Sequence, residues 1–419
     1  MEYTLNTGRY RSQLIGLLIL AAVAMFGVNH RFGAIGVSFL VFVSLLMWKH
    51  QKPCFTPEVY SLRKLAIYVF LAYPIAVFMS LLIHQQWEIF DNELDNPVRL
   101  IFVIPIFILL SKIKLDERWV VLAFSFGAIA IGLNAIFSFS GGRVGLSYGN
   151  PIPMGNVATA LAVISLMLGM SVKSLNLGFK FLSILALSLG VAASLLSGTK
   201  GGWVSLAIIA LYGLFAWRAT IFKKVVVVSL VFIALTVFDV AMKNLPSSRL
   251  IILKQNIECF IDDPASQCGM GSFGVRVWMN YAGINNFLNH PVTGSGLDTT
   301  SSVLDKAKNS ELIPRNVHSY NHLHNDFVEI LSQMGLLGFV GYVCLFGGFT
   351  WIAFRLRALS DHKNPWANAL FINTLLFFEF GMTQATLTHA STITYFAFSN
   401  ALLTGMAFRF MGHEEEPLT

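Results

Sequence analysis

The sequence predicts an all-α polytopic membrane protein with about twelve transmembrane helices and one large helical loop between the ninth and tenth. Three observations lead there. Hydrophobic residues make up 55% of the 419 and charged residues only 12%, about half the charge of an ordinary soluble domain. The mean hydropathy is +0.65. The apolar residues fall in runs close to the roughly 20 residues that cross a bilayer core, and Lys and Arg recur in every second gap between them.

Taken in order, the runs are 14–29, 32–48, 65–83, 98–111, 119–138, 154–172, 178–196, 201–217, 225–241, 332–354, 367–384 and 392–409. With the N-terminus in the cytoplasm, the inner segments collect Arg9 and Arg11, Lys49 to Lys64, Lys112 to Arg118, Lys173 and Lys180, Arg218 to Lys224, Arg355 to Lys363, and Arg409. The short outer loops hold only Arg31, Arg99, Arg143 and Lys200. A basic excess on one side sets orientation, so both termini are expected in the cytoplasm. The chain divides into helices over 1–241, an outer loop subdomain over 242–331, and helices with a short tail over 332–419.

The net charge of +7 does not indicate nucleic acid, because the cations sit in membrane-flanking loops rather than in one patch. The first apolar run follows Arg9 and Arg11 as a signal peptide would, but no small-residue cleavage site comes after it, and it reads as an uncleaved helix. Cys344 lies in an apolar run and reads as buried. Cys259 and Cys268 share the outer loop, where an oxidising compartment permits a disulfide; two free thiols are the alternative.

A loop of about ninety residues between packed helices is functional or disordered as a rule, and this one is too hydrophobic for disorder. Helices are expected near 248–260 and 274–288, with a turn over His290-Pro291-Val292-Thr293-Gly294-Ser295-Gly296. Two clusters stand out. In Gly271-Ser272-Phe273-Gly274-Val275-Arg276, Arg276 opens a helix, and arginine beside a helix N-terminus suits phosphate; an ordinary surface arginine is the plain alternative. In Tyr320-Asn321-His322-Leu323-His324-Asn325-Asp326, the histidines are two apart. A zinc-binding helix wants three or four, although an extended segment presents both rings together. Imidazole titrates near neutrality, which suits a general base at the membrane surface; histidines hydrogen-bonded to backbone are the plain alternative.

Outer loops that are poor in cations make the remaining ones conspicuous. Arg143 and Tyr148 lie in the Gly-rich segment 141–151, Lys200 in Ser197-Gly198-Thr199-Lys200, and Arg99 at the end of the acidic segment 84–99. Lone charges at helix ends are often membrane anchors. Cations converging on one pocket would instead bind a pyrophosphate by charge-assisted hydrogen bonds.

The Gly274-Val275-Arg276 element, the His290–Gly296 turn, the His322-Leu323-His324-Asn325 element and the loop before the last three spans together resemble the bacterial O-antigen ligase family, in the wider group of O-antigen ligases and polymerases. The resemblance implies a GT-C-like fold in the bacterial inner membrane with a periplasmic loop. It implies transfer of glycan from undecaprenyl pyrophosphate to a hydroxyl of lipid A–core, with inversion and with neither metal nor cofactor. It makes His324 the general base and Arg276 the donor-pyrophosphate ligand, with Lys200 where the family usually carries an arginine, and Arg143 a less secure match. His322, Asn325, Arg99 and Tyr148 complete the candidate substrate-binding set.

The chemistry agrees. Pyrophosphate leaves readily, and fixed cations stabilise the charge that builds on it. The acceptor hydroxyl has a high pKa, so a base assists. Asp262-Asp263 form no spaced metal-binding pair and read as solvated acids. An O-antigen polymerase would use the same chemistry on a lipid-linked acceptor. A protein oligosaccharyltransferase would carry a longer C-terminal region. A transporter would bury charges mid-span, where only Asp239, Glu379 and Asn134 are candidates.

Overall fold

A computed structural model describes residues 2–47, 55–199, 201–202, 204–205, 207, 249–266, 270–318 and 320–413. Lys200, Cys268, Asp239, the span at 225–241 and most of that at 201–217 lie outside these residues. Among the described residues every regular element is helical.

The chain opens with α1 (Glu2–Val28) and α2 (His30–Leu46), parted by Asn29, whose side chain accepts from the Arg31 amide and caps α2. α3 (Pro57–Ile83) begins on a Thr56 cap with Pro57 at its first position. The run at 98–111, expected as one span, is instead the end of α4 (Phe90–Phe102) followed by the short α5 (Ile104–Leu110). Pro105 brings no N–H for the carbonyl four residues back, so the helix breaks there. α6 (Glu117–Phe137), α7 (Pro151–Ser171) and α8 (Leu177–Ser197) follow. The long loop contributes α9 (Arg249–Asp262) and α10 (Ser272–Asn289), close to expectation, and α11 (Thr300–Asn309), which periodicity does not reveal. α12 (Asp326–Leu359), α13 (Pro365–Gly381) and α14 (Ala390–His413) complete the chain.

Five of the described helices, α3, α6, α7, α8 and α12, are long and apolar enough to cross a membrane, and α1 and α2 carry shorter apolar stretches. The protein is therefore a multi-pass helical membrane protein. α7 is central, with 83% of its most apolar stretch buried, whereas α8 is peripheral at 28%. One group packs α1, α2, α6, α7 and α8; α12 packs on α3 and α13, and α14 joins α4, α5 and α13. On α2 the exposed residues Phe32, Ile35, Phe39, Phe42 and Leu46 recur every three or four positions, a stripe suited to lipid. Cys344 is a free thiol exposed on α12, not buried as its apolar run suggests; a lipid-facing position is as apolar as a core. Inside the bundle, Ser125 meets Ser165 at 2.8 Å and Thr159 meets Ser194 at 3.0 Å, polar contacts that join helices where apolar packing gives little preference.

α12 is interrupted at Gly335, with φ 60° and ψ −151°. Only glycine takes this conformation readily, and a Cβ there would lie 2.6 Å from the Val292 carbonyl. The break frees backbone groups that the His290–Gly296 turn satisfies. Leu336 and Leu337 donate to the Pro291 and Val292 carbonyls at 2.8 and 3.1 Å, while Ser295 and Gly296 donate to the Ser332 and Gln333 carbonyls at 3.1 and 2.9 Å. A second clasp holds the same turn: the Gln86 side chain donates to the Leu297 carbonyl at 2.8 Å and accepts from its amide at 2.9 Å.

Candidate functional site

The loop helices have a small apolar core of their own, built from Met279, Leu304, Ile313, Val317, Leu323 and Val328. Leu323 is the residue between the two histidines, and it is fully buried. With Leu323 buried, the turn brings the rings of His322 and His324 together. Their rings lie 4.2 Å apart, centre to centre.

Three acceptors fix this turn. The Glu329 carboxylate takes the Leu323 amide, the Thr300 hydroxyl at 2.6 Å and the Gln333 amide at 2.7 Å. Asn325 caps α12, accepting from the amides of Phe327 and Val328 at 3.0 and 3.3 Å. Asp326 accepts from the amide and hydroxyl of Thr386 and from the Leu387 amide, and so joins the segment between α13 and α14 to the histidines. These bonds hold His324 at φ 56°, a left-handed conformation that costs a non-glycine residue roughly 1–2 kcal/mol. The strained backbone aims the ring.

The ring of His324 meets a side chain that the sequence reading did not single out. Nδ1 of His324 lies 2.8 Å from Oε1 of Gln384. The amide nitrogen of Gln384 lies 2.7 Å from Nε2 of His389. An amide oxygen only accepts and an amide nitrogen only donates, so His324 carries its proton on Nδ1 and leaves Nε2 as a lone pair. His389 accepts through Nε2 and must likewise be neutral. The third ring, His322, stands 5.4 Å from that of His389, and Tyr320 packs edge-on to His324 at 5.3 Å. The imidazoles do not converge as a metal cage; among the described residues no such group of three His, Cys, Asp or Glu side chains occurs.

Electrostatics support the same protonation. Burial first, then His322, Arg276 and His389, push His324 down to about 4, against the opposing hydrogen bond from Gln384. Burial and His322 bring His389 to about 4. Burial and Arg276 lower His322. Arg276 thus stands close enough to act on both histidines, and burial lowers its own affinity for the proton while Tyr320 opposes that. A guanidinium stays charged regardless. The site pairs an uncharged imidazole base with a partly buried fixed cation.

The other candidates stand apart from this cluster or serve the scaffold. Nε of Arg143 donates to the Ser197 carbonyl at 2.8 Å, at the end of α8. The Tyr148 hydroxyl donates to the Phe26 carbonyl at 2.8 Å, at the end of α1, and the residue is buried. Arg99 pairs with Asp95 at 2.5 Å and donates to Thr394 at 2.8 Å. Asn325 is the α12 cap described above. Lys200 lies outside the described residues. Cys259 is disulfide-bonded; Cys268, the expected partner, lies outside the described residues too. Glu379 is buried on α13 and accepts from Ser205.

Gln384 and His389 were hidden for a physical reason. They lie in Thr383-Gln384-Ala385-Thr386-Leu387-Thr388-His389, a short polar gap between two apolar runs. Alternation of sides puts that gap with the long loop, but hydropathy alone counts Gln384 into the preceding span. Parity and the histidine were the available signals.

Two likenesses accord with this geometry. An uncharacterised protein of Haemophilus influenzae is 25% identical over 314 residues, covering 72% of this chain and 74% of the relative. Residues 184–343 match the model of the O-antigen ligase family, and that stretch includes Arg276, the Gly335 break and both turn histidines. The segment that carries the two turn histidines is thus similar to the O-antigen ligase family.

Proposed function

We propose that the protein is an O-antigen ligase of the bacterial inner membrane. In this reading twelve spans place both termini in the cytoplasm and the loop over 242–331 in the periplasm. The donor is a glycan on undecaprenyl pyrophosphate and the acceptor a hydroxyl of lipid A–core. The observation that carries the proposal is the partly buried imidazole of His324 held by Gln384, with Arg276 within electrostatic reach. Gln384 leaves Nε2 of His324 as an acceptor, and the charge of Arg276 acts on the ring.

The step follows from those groups. Nε2 of His324 takes the proton of the acceptor hydroxyl as its oxygen bonds to the anomeric carbon. The bond from that carbon to the pyrophosphate oxygen breaks on the opposite face, so the configuration inverts. The pyrophosphate leaves with the bonding pair, and Arg276 stabilises it by a bidentate, charge-assisted contact. Lys200 and Arg143 are the further cations proposed for the donor. The low basicity of His324 limits its pull on the proton, and a good leaving group tolerates that.

The deciding experiment reconstitutes the full chain with lipid-linked glycan and lipid A–core. Glycan joined to the core is the expected product. Lengthened lipid-linked glycan instead would make the protein a polymerase, and no transfer at all would remove the enzymatic reading.

A further inference from the structure

A cavity of about 250 Å³ opens on the side of His322 and His389. Its floor is apolar, from α3 and α12, and its walls carry Asn92, Glu93 and Asn96 of α4, Asp298, His322 and His389. Among the described residues no Lys or Arg lines it. Asp326 and Glu329 also line it, but their oxygens accept the hydrogen bonds that hold the histidine turn. Glu93 and Asp298 have no such partners among the described residues, and no ion pair joins either to a cation. The Asn96 amide donates to the Thr388 carbonyl at 2.6 Å, while its buried oxygen has no hydrogen-bond partner among the described residues. Buried acceptors without partners are rare unless something supplies the donors.

The lining decides what fits. Carboxylates with no cation repel phosphate, so the pyrophosphate belongs outside this cavity, where Arg276 can meet it. Carboxylates and amides over an apolar floor suit a pyranose, which has C–H faces to pack and hydroxyls or an amine to donate. The volume is below the roughly 300–1,000 Å³ of drug-sized ligand sites, which suits one sugar ring and not a lipid. His322 borders this cavity, and its ring is 4.2 Å from that of His324. A ring seated there sits next to the base.

We propose that this cavity seats the acceptor's sugar ring, accepting a neutral or amine-bearing sugar and rejecting one that carries phosphate. The acceptor assignment rests on the function proposed above; the sugar preference does not. Saturation-transfer NMR on the full chain in detergent tests it with methyl glucoside, methyl glucosaminide and glucose 6-phosphate. Both methyl glycosides should give signal and the phosphate none. Asn92→Trp, at an exposed rim position, should abolish the signal without unfolding the bundle. The isosteric double variant Glu93→Gln, Asp298→Asn should weaken glucosaminide binding about tenfold, the difference between a hydrogen bond to a charged and to a neutral acceptor. Equal signals from wild type and Asn92→Trp, or glucose 6-phosphate binding as well as methyl glucoside, would overturn the sugar seat. In the transfer assay, Asn92→Trp should raise KM for the acceptor alone; a rise for the donor instead overturns the acceptor assignment. Sugar binding that is lost in Asn92→Trp, with no transfer by wild type, sinks the proposed function and leaves the sugar seat standing.

Discussion

The histidine turn and the Gly-rich segment 141–151 look alike in sequence, each a polar loop with a cation or imidazole among small residues, yet they use their polar atoms in opposite ways. In the Gly-rich segment the groups are spent on helix ends. The last carbonyls of a helix have no partner within it. Arg143 and the Val144 amide take up the carbonyls of Ser197 and Leu196 at the end of α8, and Tyr148 takes up that of Phe26 in α1. Ser147 accepts from the first amide of α2. In the histidine turn the backbone amides are taken up by Asn325, Asp326 and Glu329, and the ring of His324 meets a side chain, Gln384, instead of the backbone. The free valence of a polar group, more than its type, separates a site from a brace. That contrast can be broken or sharpened by substitution.

The largest effect is expected at His324. His324→Ala should lower transfer by about 10²–10⁴-fold, the usual worth of a positioned base, with membrane insertion unchanged. Full transfer in this variant removes the residue from the chemistry. The pH profile adds a sign. A base held near 4 is neutral at all higher pH, so kcat/KM should stay level as pH falls through 6.5 and decline only near 4. An acid limb at 6.5 would mean that the ring is solvated rather than buried. Arg276→Ala comes next, with a loss of about 10²–10³-fold, as for other single donors to a developing anion. Arg276→Lys should recover part of that, because it restores the charge without the bidentate fork. Complete recovery would show that charge alone is required.

Much of this was legible from the residues. Apolar runs located α1 to α3, α6 to α8 and α12 to α14, because a helix in lipid must be apolar along its length. The spacing of His322 and His324 left open that both rings are presented together, as they are. Other features needed coordinates. The break at Pro105 hides inside a continuous apolar run. α11 holds mostly polar residues around Val303 and Leu304, and its burial depends on a core assembled from distant segments. Gln384 meets His324 across 60 positions of chain, a separation that no local pattern encodes. Tyr148 reads as a ligand because sequence shows its hydroxyl and not the carbonyl that it meets.

A smaller effect is expected at Gln384, which acts through His324. Gln384→Leu removes the acceptor that sets the tautomer, so the proton can move to Nε2 and the fraction of competent base falls, at a cost of about tenfold by the worth of one hydrogen bond. A merely structural role would give the same loss, so the pH profile is the discriminating readout. Gln384→Glu keeps the acceptor and adds a negative charge, which favours the imidazolium. The acid limb should then rise above 4. A limb that stays in place in Gln384→Glu would detach Gln384 from control of the ring it meets in the structure.

The smallest effect is expected where the contrast began. Tyr148→Phe deletes one hydroxyl and leaves the Phe26 carbonyl buried without its donor, a cost of about 1–3 kcal/mol. Melting in detergent should fall while transfer per folded molecule is unchanged, because the ring still packs against His30 at 5.1 Å. If transfer dropped with melting unaltered, the hydroxyl would be acting on substrate. Tyr148 would then belong with His324, and spent valence would no longer distinguish the two loops.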